Sequence, residues 1–402
     1  MFENKKIVLI VTGGIAAYKA AIFARLLMKA GATVRVVMTA NALEFVTEKT
    51  FAVLTKQPVL TDLFNPAQST QVGHVEIADW ADYMMVVPAT ANIISKIAQG
   101  IGDDVASTVL LARHTPLLVA PAMNANMYNN PAVQRNLQQL RQDQVLILEP
   151  AYGMLAEGYA GLGRLPEPDE LLAQAELKLR QIQGTSLEGQ HYLVTAGGTR
   201  EYLDPVRYIG NRSSGKMGYA IAQALTEAGA KVTLISTVNL KVPVGTEVIS
   251  VQSALEMQAE IDKLFPQSDG LVMAAAVADF RTAEVATQKI KKNQNQGLDL
   301  QLTQNPDLVA TFGAKKQNQK VIAFAAETND LIEHAQTKLQ KKHADLLVAN
   351  DVSRTDRGFG VDQNQVTILE PGQPNETLPL LSKIETARLI VQRIIKLSVG
   401  EN

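Results

Sequence analysis

The sequence predicts an α/β protein made of two three-layer domains, and three observations carry that expectation. Apolar runs without alternation, the pattern of parallel strands buried on both faces, recur along the chain with amphipathic helical segments between them. Alternation of strand and helix implies parallel sheets joined by right-handed crossovers. The two halves also open alike. VLIVTGGIAAYKA and LLMKAGATVRVVMT in the first half parallel YLVTAGGT and SSGKMGYAIAQALTEAGAKVTLIST in the second. Each half reads strand, Gly-Gly, helix, then Ala-Gly-Ala before the next strand. A length of 402 residues fits about two or three domains.

Taken in order, the first-half strands are Lys6–Thr12, Thr33–Met38, Tyr83–Val87, Pro116–Ala120 and Val145–Leu148, with helices such as Ala17–Met28 and Ala132–Arg141 between them. A helix over Glu170–Ile182 leads into QGTSLEG (Gln183–Gly189), a polar stretch with glycines at both ends that reads as a linker. The expected domains are therefore 1–184 and 185–402. Second-half strands are Tyr192–Thr195, Lys231–Ser236, Gly270–Ala275, Val321–Phe324 and Leu346–Ala349, with helices Met217–Ala228 and Leu331–Lys341. Gly31 and Gly229 occupy the position just past a helix where glycine is favoured. Ser398–Asn402 reads as a loose tail.

Composition narrows the function classes. Hydrophobic content of 46% with 19% charged residues is ordinary for a globular protein. A net charge of −2 leaves no electrostatic footprint for nucleic acid. The longest apolar runs, such as Tyr83–Ala91, are too short to span a bilayer. The N-terminus enters a strand directly, without a signal-peptide cleavage pattern. The absence of cysteine excludes disulfides, thiolate metal sites and a cysteine nucleophile. A cytoplasmic protein acting on small molecules is expected.

Residues 195–218, TAGGTREYLDPVRYIGNRSSGKMG, are the most informative stretch. A strand, a glycine turn, a polar excursion and a helix N-terminus are the parts of a phosphate or nucleotide site. Ser213 and Ser214 are expected to cap that helix, and Gly197, Gly198, Gly215 and Gly218 to let the backbone approach a ligand. Arg200, Arg207, Arg212 and Lys216 supply positive charge. Neither GxxxxGK[ST] nor GxGxxG fits, so no generic nucleotide motif names the site. In the first half, three loops sit at strand C-termini, where open α/β sheets place ligands: Thr12–Lys19, Pro88–Asn92 and Pro121–Met127. Thr12, Thr90, Asn92 and Asn124 suit a phosphate, a ribityl chain or a carboxamide. Each loop alone also reads as an ordinary turn, Asn124 as an Asx turn, and His74 in VGHVEIADWAD (Val72–Asp82) as a structural histidine. Further on, Lys289, Lys291 and Lys292 follow ADFR. Lys338, Lys341 and Lys342 share a helical segment whose spacing alone describes a solvated face. Asp279 ends an apolar run, where a buried carboxylate needs a partner. Phe324 reads either as a stacking platform or as core.

GGIAAYK, the histidine before ADWAD, PATAN and PAMNANM resemble the homo-oligomeric flavin-containing cysteine decarboxylases. YIGNRSSGKMG, AAAVADF, KIKK, NPDLV and VAND resemble phosphopantothenate–cysteine ligase. In this order, and over nearly the whole chain, the two sets resemble the bacterial bifunctional phosphopantothenoylcysteine decarboxylase / phosphopantothenate–cysteine ligase. The resemblance implies two Rossmann-like domains, a flavodoxin-like flavoprotein domain followed by a nucleotide-binding ligase domain. It implies FMN at Gly13, Gly14, Ile15, Ala16, Thr39, Pro88, Ala89, Thr90, Asn92 and Met123, with His74 catalytic and Asn124 on the substrate carboxylate. It implies CTP, with Mg²⁺, at Asp279, Lys289, Pro306, Asp307, Leu308, Val309, Phe324, Lys338 and Lys342. Lys289 would stabilise charge as an acyl-cytidylate forms, Asn211 would orient that intermediate, and Arg207 would contact substrate. The residues themselves do not separate CTP from ATP. Family assembly implies trimers through the decarboxylase half and dimers through the ligase half, hence a dodecamer.

One position departs from the family. GMLAEGYAGLGR (Gly153–Arg164) resembles the substrate-covering clamp, whose usual Ala-Cys-Gly supplies a proton-donating cysteine; here the position is Glu157. Three readings stand. A carboxyl group kept protonated by burial and by the anionic intermediate donates the proton; Glu157 is an exposed loop residue and water is the donor; or the first half is impaired or oxidative. A non-catalytic regulatory binder is a further alternative, opposed by the presence of His74 and Asn124 and by the lack of an acidic tail.

Overall fold

The computed structural model describes residues 1–64, 73–184, 186–291, 298–327, 331–351 and 363–399. Val72, Lys292 and the last residues of the expected tail lie outside them. The chain divides into two compact units, Met1–Leu179 and Arg180–Asn402.

The first unit is built on a wholly parallel sheet of β1 (Lys6–Val11), β2 (Thr33–Met38), β3 (Val59–Leu60), β4 (Tyr83–Ala89), β5 (Leu117–Pro121) and β6 (Leu146–Ile147), in the order β3-β2-β1-β4-β5-β6. Successive residues of β1 feed opposite cores. Ile7, Leu9 and Val11 pack with the helices Ala17–Lys29 and Pro168–Gln181. Val8 and Ile10 pack with Ile93, Val109 and Leu137 on the other face. A strand buried on both faces has no polar side to show, which is why its sequence does not alternate. A separate antiparallel hairpin, β7 (Ala151–Met154) and β8 (Ala160–Arg164), occupies the stretch read as a clamp.

The second unit begins with β9 (His191–Ala196) and a small hairpin, β10 (Arg200–Tyr202) and β11 (Tyr208–Gly210). It continues through β12 (Lys231–Ser236), β13 (Thr246–Ser250) and β14 (Gly270–Met273), then a second hairpin, β15 (Phe280–Thr282) and β16 (Leu302–Gln304). Next come β17 (Lys320–Glu327), β18 (Leu346–Asp351), β19 (Gln363–Asn364), β20 (Val366–Leu369), β21 (Glu376–Thr377) and β22 (Leu381–Ser382). The main sheet runs β13-β12-β9-β14-β17-β18-β20-β21. Its first six strands are parallel, and the last two add antiparallel. Those six parallel strands repeat the order of the first unit, so the likeness of the two openings extends to topology. In both sheets the winding reverses beside the first strand, between β1 and β4 and between β9 and β14, which is where doubly wound sheets open a ligand crevice.

The shared Ala-Gly-Ala has a shared geometry. Gly31 and Gly229 adopt φ of 92° and 94°. Gly31 N–H bonds Met28 O and Ala32 N–H bonds Leu27 O, at 3.0 and 3.1 Å; Gly229 to Thr226 and Ala230 to Leu225 repeat both distances. These are paired Schellman caps, which need a left-handed residue past the helix end. The expected tail is shorter than read: Ser398 lies inside the final helix, Lys383–Val399, with its hydroxyl 2.7 Å from the Tyr192 hydroxyl.

Candidate functional site

Each unit carries its candidate residues at its own sheet reversal. In the first, Thr12 ties two loops together. Its hydroxyl donates to the Pro88 carbonyl at 2.7 Å and accepts the Thr90 amide at 3.2 Å. Thr90 in turn caps the helix Ala91–Gln99 by accepting from Ile93 N, and the Ala89 carbonyl accepts the Ala122 amide. Thr12 is thus engaged as donor and acceptor within the protein, which corrects its expected use on a ligand. Gly14 leaves an opening: a Cβ there would meet only Thr90 Cγ2, at 3.9 Å. Thr39, just past β2, has a buried hydroxyl without a partner, and a Cβ on Gly13 would strike Asn41 at 2.5 Å. Around these lie exposed Ile15 and Asn92 and half-buried Ala16 and Met123. An orphaned hydroxyl and a small-residue opening at the same end of the sheet fit a polar cofactor that inserts between the loops.

Asn124 realises the Asx reading and retains a donor. Its Oδ1 accepts the Asn126 amide at 2.8 Å, capping the short helix Ala125–Tyr128, while Nδ2 donates to the Tyr159 hydroxyl. Tyr159 belongs to the hairpin, which seats on this turn. Met123 N–H donates to Gly163 O at 3.0 Å, and a Cβ on Gly163 would lie 2.4 Å from the Met123 carbonyl. Buried Lys19 anchors the hairpin's exit, donating to Leu165 O at 3.0 Å and pairing with Glu167 at 2.9 Å. That bond from Lys19 holds the Glu167 carboxyl below its ordinary range. Glu157 stands exposed at the hairpin's tip. His74 is half-buried near the start of the helix Gly73–Trp80. Among the described residues no hydrogen bond or ion pair joins it to Asn124 or Glu157.

In the second unit a cleft of about 770 Å³ opens at the reversal, within the roughly 300–1,000 Å³ typical of ligand sites. It gathers Asn211, Asp279, Pro306, Asp307, Leu308, Val309, Phe324, Lys338 and Lys342. The helix Lys216–Glu227 points its N-terminus into it. Gly215 is the N-cap and no side chain caps it; Ser213 instead accepts the Gly215 amide at 3.4 Å. The expected serine cap is therefore absent at the N-cap, and the positive end of the helix faces the cleft. The four glycines are required by the protein's own packing, and Gly215 and Gly218 also line the cleft. A Cβ on Gly197, Gly198, Gly215 or Gly218 would strike Thr237, the Asn211 carbonyl, Val238 or Ala196.

Asn211 Nδ2 donates to Val277 O at 3.0 Å. Asp307 caps the helix Leu308–Lys315 and pairs with Lys342 at 3.2 Å. The basic triplet divides: Lys338 and Lys342 line the cleft, whereas Lys341 is exposed outside it. Phe324 both packs on the core and faces the cleft. Asp279 is exposed beyond the end of β14, so the buried carboxylate expected there is not one. Lys289 and Arg207 do not line the cleft. Arg207 pairs with Asp204 and donates to Ile290 O at 2.7 Å.

Two cleft residues escaped the sequence reading. Asn350, in VAND, has a buried Oδ1 without a partner, and Lys383, 9% exposed, reaches the cleft from the start of the last helix. The first offered a signal within a motif already singled out; the second offered none. Among the described residues no group of three or more His, Asp or Glu side chains could hold a metal ion.

Two family models match the chain: Flavoprotein over residues 1–179, and DNA/pantothenate metabolism flavoprotein C-terminal domain over residues 187–397. Among curated proteins, the coenzyme A biosynthesis bifunctional protein CoaBC of Bacillus subtilis (strain 168) is 45% identical over 400 residues, covering 99% of this chain and 98% of its own length. Its Vibrio cholerae counterpart is 45% identical over 395 residues, covering 97% and 98%. Among solved structures, the C-terminal domain of a CoaBC is 36% identical with a TM-score of 0.47, covering 54% of this chain and 100% of that one.

Proposed function

The chain belongs to the family of bifunctional coenzyme A biosynthesis proteins, and on that premise we propose how its residues divide a decarboxylation and a ligation between the two units. The first unit takes phosphopantothenoylcysteine and FMN. The observation that supports this is the opening beside Gly14 together with the unpartnered Thr39 hydroxyl. When bound, FMN supplies a reversible hydride acceptor for the cysteine side-chain carbon, so that the carboxylate comes to lie β to an electron sink and is lost as carbon dioxide. Gly13 to Ala16, Thr39, Pro88 to Thr90, Asn92 and Met123 hold the cofactor. Asn124 exchanges Tyr159 for the substrate carboxylate, and its neutral amide orients that group without the charge pairing that would stabilise it against loss. His74 is the base or positioning group. The hairpin covers the substrate and excludes water, and Glu157 protonates the enethiolate. Purified protein should be yellow and release FMN on denaturation. A colourless preparation that takes up no FMN on reconstitution overturns this half.

The second unit ligates cysteine to 4'-phosphopantothenate. Amide formation from a free carboxylate is uphill, so the carboxylate first attacks the α-phosphorus of CTP. Pyrophosphate leaves, and the cysteine amine then displaces CMP. Phe324 stacks the base and Asp279 lies beside it. Lys338, Lys342 and the uncapped helix N-terminus face the phosphates, with Pro306 to Val309 forming the wall. Lys289 stabilises charge during activation, and Asn211, held on Val277 O, orients the acyl-cytidylate. The Mg²⁺ expected with a triphosphate would be held chiefly by the phosphates, since no cluster of three or more His, Asp or Glu is found among the described residues, and no step depends on it. Pyrophosphate release should require CTP, and activity with ATP alone overturns that choice. Lys289→Gln should stop before the intermediate and Asn211→Asp after it; arrest of both at one stage overturns the two roles.

A ligase with an impaired first half is a second reading, favoured by one observation: Glu157 is exposed rather than buried. A single turnover with wild-type protein and FMN decides it, because an impaired half releases no carbon dioxide or leaves the flavin reduced.

A further inference from the structure

The polar excursion between β10 and β11 holds a fully buried carboxylate, Asp204, for which the ligase scheme has no use. Its Oδ1 accepts the amides of Val206 and Arg207 at 2.8 and 2.9 Å and so closes its own turn. Its Oδ2 accepts Arg207 Nε at 2.9 Å, Arg207 Nη2, and the Ile290 amide at 3.1 Å. Arg207 Nη2 also donates to the Ile290 carbonyl at 2.7 Å. Both backbone polar groups of Ile290 therefore end on the Asp204–Arg207 pair. Two further bonds lay the same segment along the excursion: Ala286 N to Leu203 O at 3.0 Å and Thr282 Oγ1 to Tyr202 O at 2.8 Å. The residue before Ile290 is Lys289, whose side chain is exposed. A long exposed side chain is not aimed by its own packing, so its reach is set by where the backbone beneath it is held.

We propose that Asp204 is a positioning residue of the ligation, which fixes Lys289 for carboxylate activation by holding both backbone groups of Ile290. This rests on the assignment of Lys289 to that step. Hydrogen bonding from Arg207 holds the Asp204 carboxyl far below the usual carboxylate range, so the latch is an anion throughout the working pH range.

Asp204→Asn separates the latch from the turn. An amide oxygen in the Oδ1 position still accepts Val206 and Arg207. The amide nitrogen in the Oδ2 position opposes two donors, Ile290 N–H and the guanidinium, and releases both. In the full-length enzyme, single-turnover pyrophosphate release from CTP and phosphopantothenate should fall by about 10- to 100-fold, the scale of loss from displacing a catalytic group by about an ångström. CTP affinity and the KM for cysteine should stay unchanged. The double variant Asp204→Asn/Lys289→Gln should be no slower than Lys289→Gln alone, because a residue acting only through Lys289 has nothing left to position. Arg207→Lys keeps a cation beside Asp204 but cannot bridge to the Ile290 carbonyl, and should show a smaller loss in the same step. Wild-type release in Asp204→Asn, or losses that multiply in the double variant, overturns the proposal. If Lys289→Gln activates at full rate, the Lys289 assignment falls and the proposal with it; if Lys289→Gln is slow and Asp204→Asn is not, the proposal falls alone.

Discussion

His191 and Glu157 show how place decides what an ionisable side chain does. His191 opens β9, its Nε2 lies 2.9 Å from Thr233 Oγ1, and burial, reinforced by the Lys231 charge, lowers its pKa below 6.5. The unfolded chain binds that proton more readily than the folded one. Stability is therefore full above 6.5 and declines as pH drops below it, until the folded value is passed. His191→Gln should flatten that slope in urea midpoints measured from pH 7 downwards, about neutral pH being the reference; an unchanged slope assigns it to another group. Glu157→Gln keeps size and hydrogen bonding but removes the acidic proton. If Glu157 donates, the variant should release carbon dioxide roughly once per flavin and then stall, with general acid catalysis worth about 10²–10⁴-fold. Glu157→Cys should restore turnover. Unchanged flavin reoxidation in Glu157→Gln makes water the donor.

Among the elements, the β7–β8 hairpin is where sequence and structure differ most usefully. Its sequence was read as a clamp by resemblance alone, and no strands were expected in it. In the structure two of its glycines are contact points: Gly161 faces Ala125 and Gly163 faces the Met123 carbonyl, leaving no room for a Cβ. Gly163→Ala should lift β8 from the Asn124 turn, at a cost of about 1–3 kcal/mol for overpacking. Decarboxylation should fall while bound flavin and ligase activity persist; equal loss of flavin would mean that the hairpin supports the cofactor and not the substrate. The central strands were legible because burial on both faces writes a continuous apolar run. The edges were not. β3 has two residues, too few for any period, and β13, TEVIS, is mostly exposed. The strands of the hairpins β10–β11 and β15–β16 have three residues each, too few to show a period.

At the scale of the molecule, each unit has its own cores: Leu9 and Ile10 centre the first, Val194 and Leu193 the second. We expect two unfolding transitions, one raised by FMN and the other by CTP, each by about 2.7 kcal/mol at a hundredfold excess over Kd. A single transition that both ligands shift equally contradicts independent units. The helix Ala17–Lys29 leaves Ile15 beside its start and Tyr18 and Ile22 on its surface, 67%, 56% and 49% exposed. Such a stripe suits a subunit contact, and its place beside the Gly14 opening would put a neighbouring subunit at the flavin. Light scattering should show a large closed assembly. A monomer at micromolar concentration would leave this stripe without a partner and the trimer implied by the family resemblance unsupported.

The sequence by itself determined the class of the fold, the two-part organisation and the family, because apolar periodicity, Gly-Gly turns and short motifs are local properties. It also brought His74, Asn124, Asn211, Phe324 and the NPDLV segment to notice as residues. Only the tertiary structure decided which groups surround them. It turned Thr12 and Lys19 inward as ties, left the Lys216–Glu227 helix uncapped, separated Lys341 from Lys338 and Lys342, and brought Asn350 and Lys383 to one cleft from distant strands and helices. It also joined Asp204 to Ile290 across 86 positions. The physical reason is the same each time. A hydrogen bond or a buried face is satisfied by whichever group the fold brings within about 3 Å, and no local pattern records which group that is.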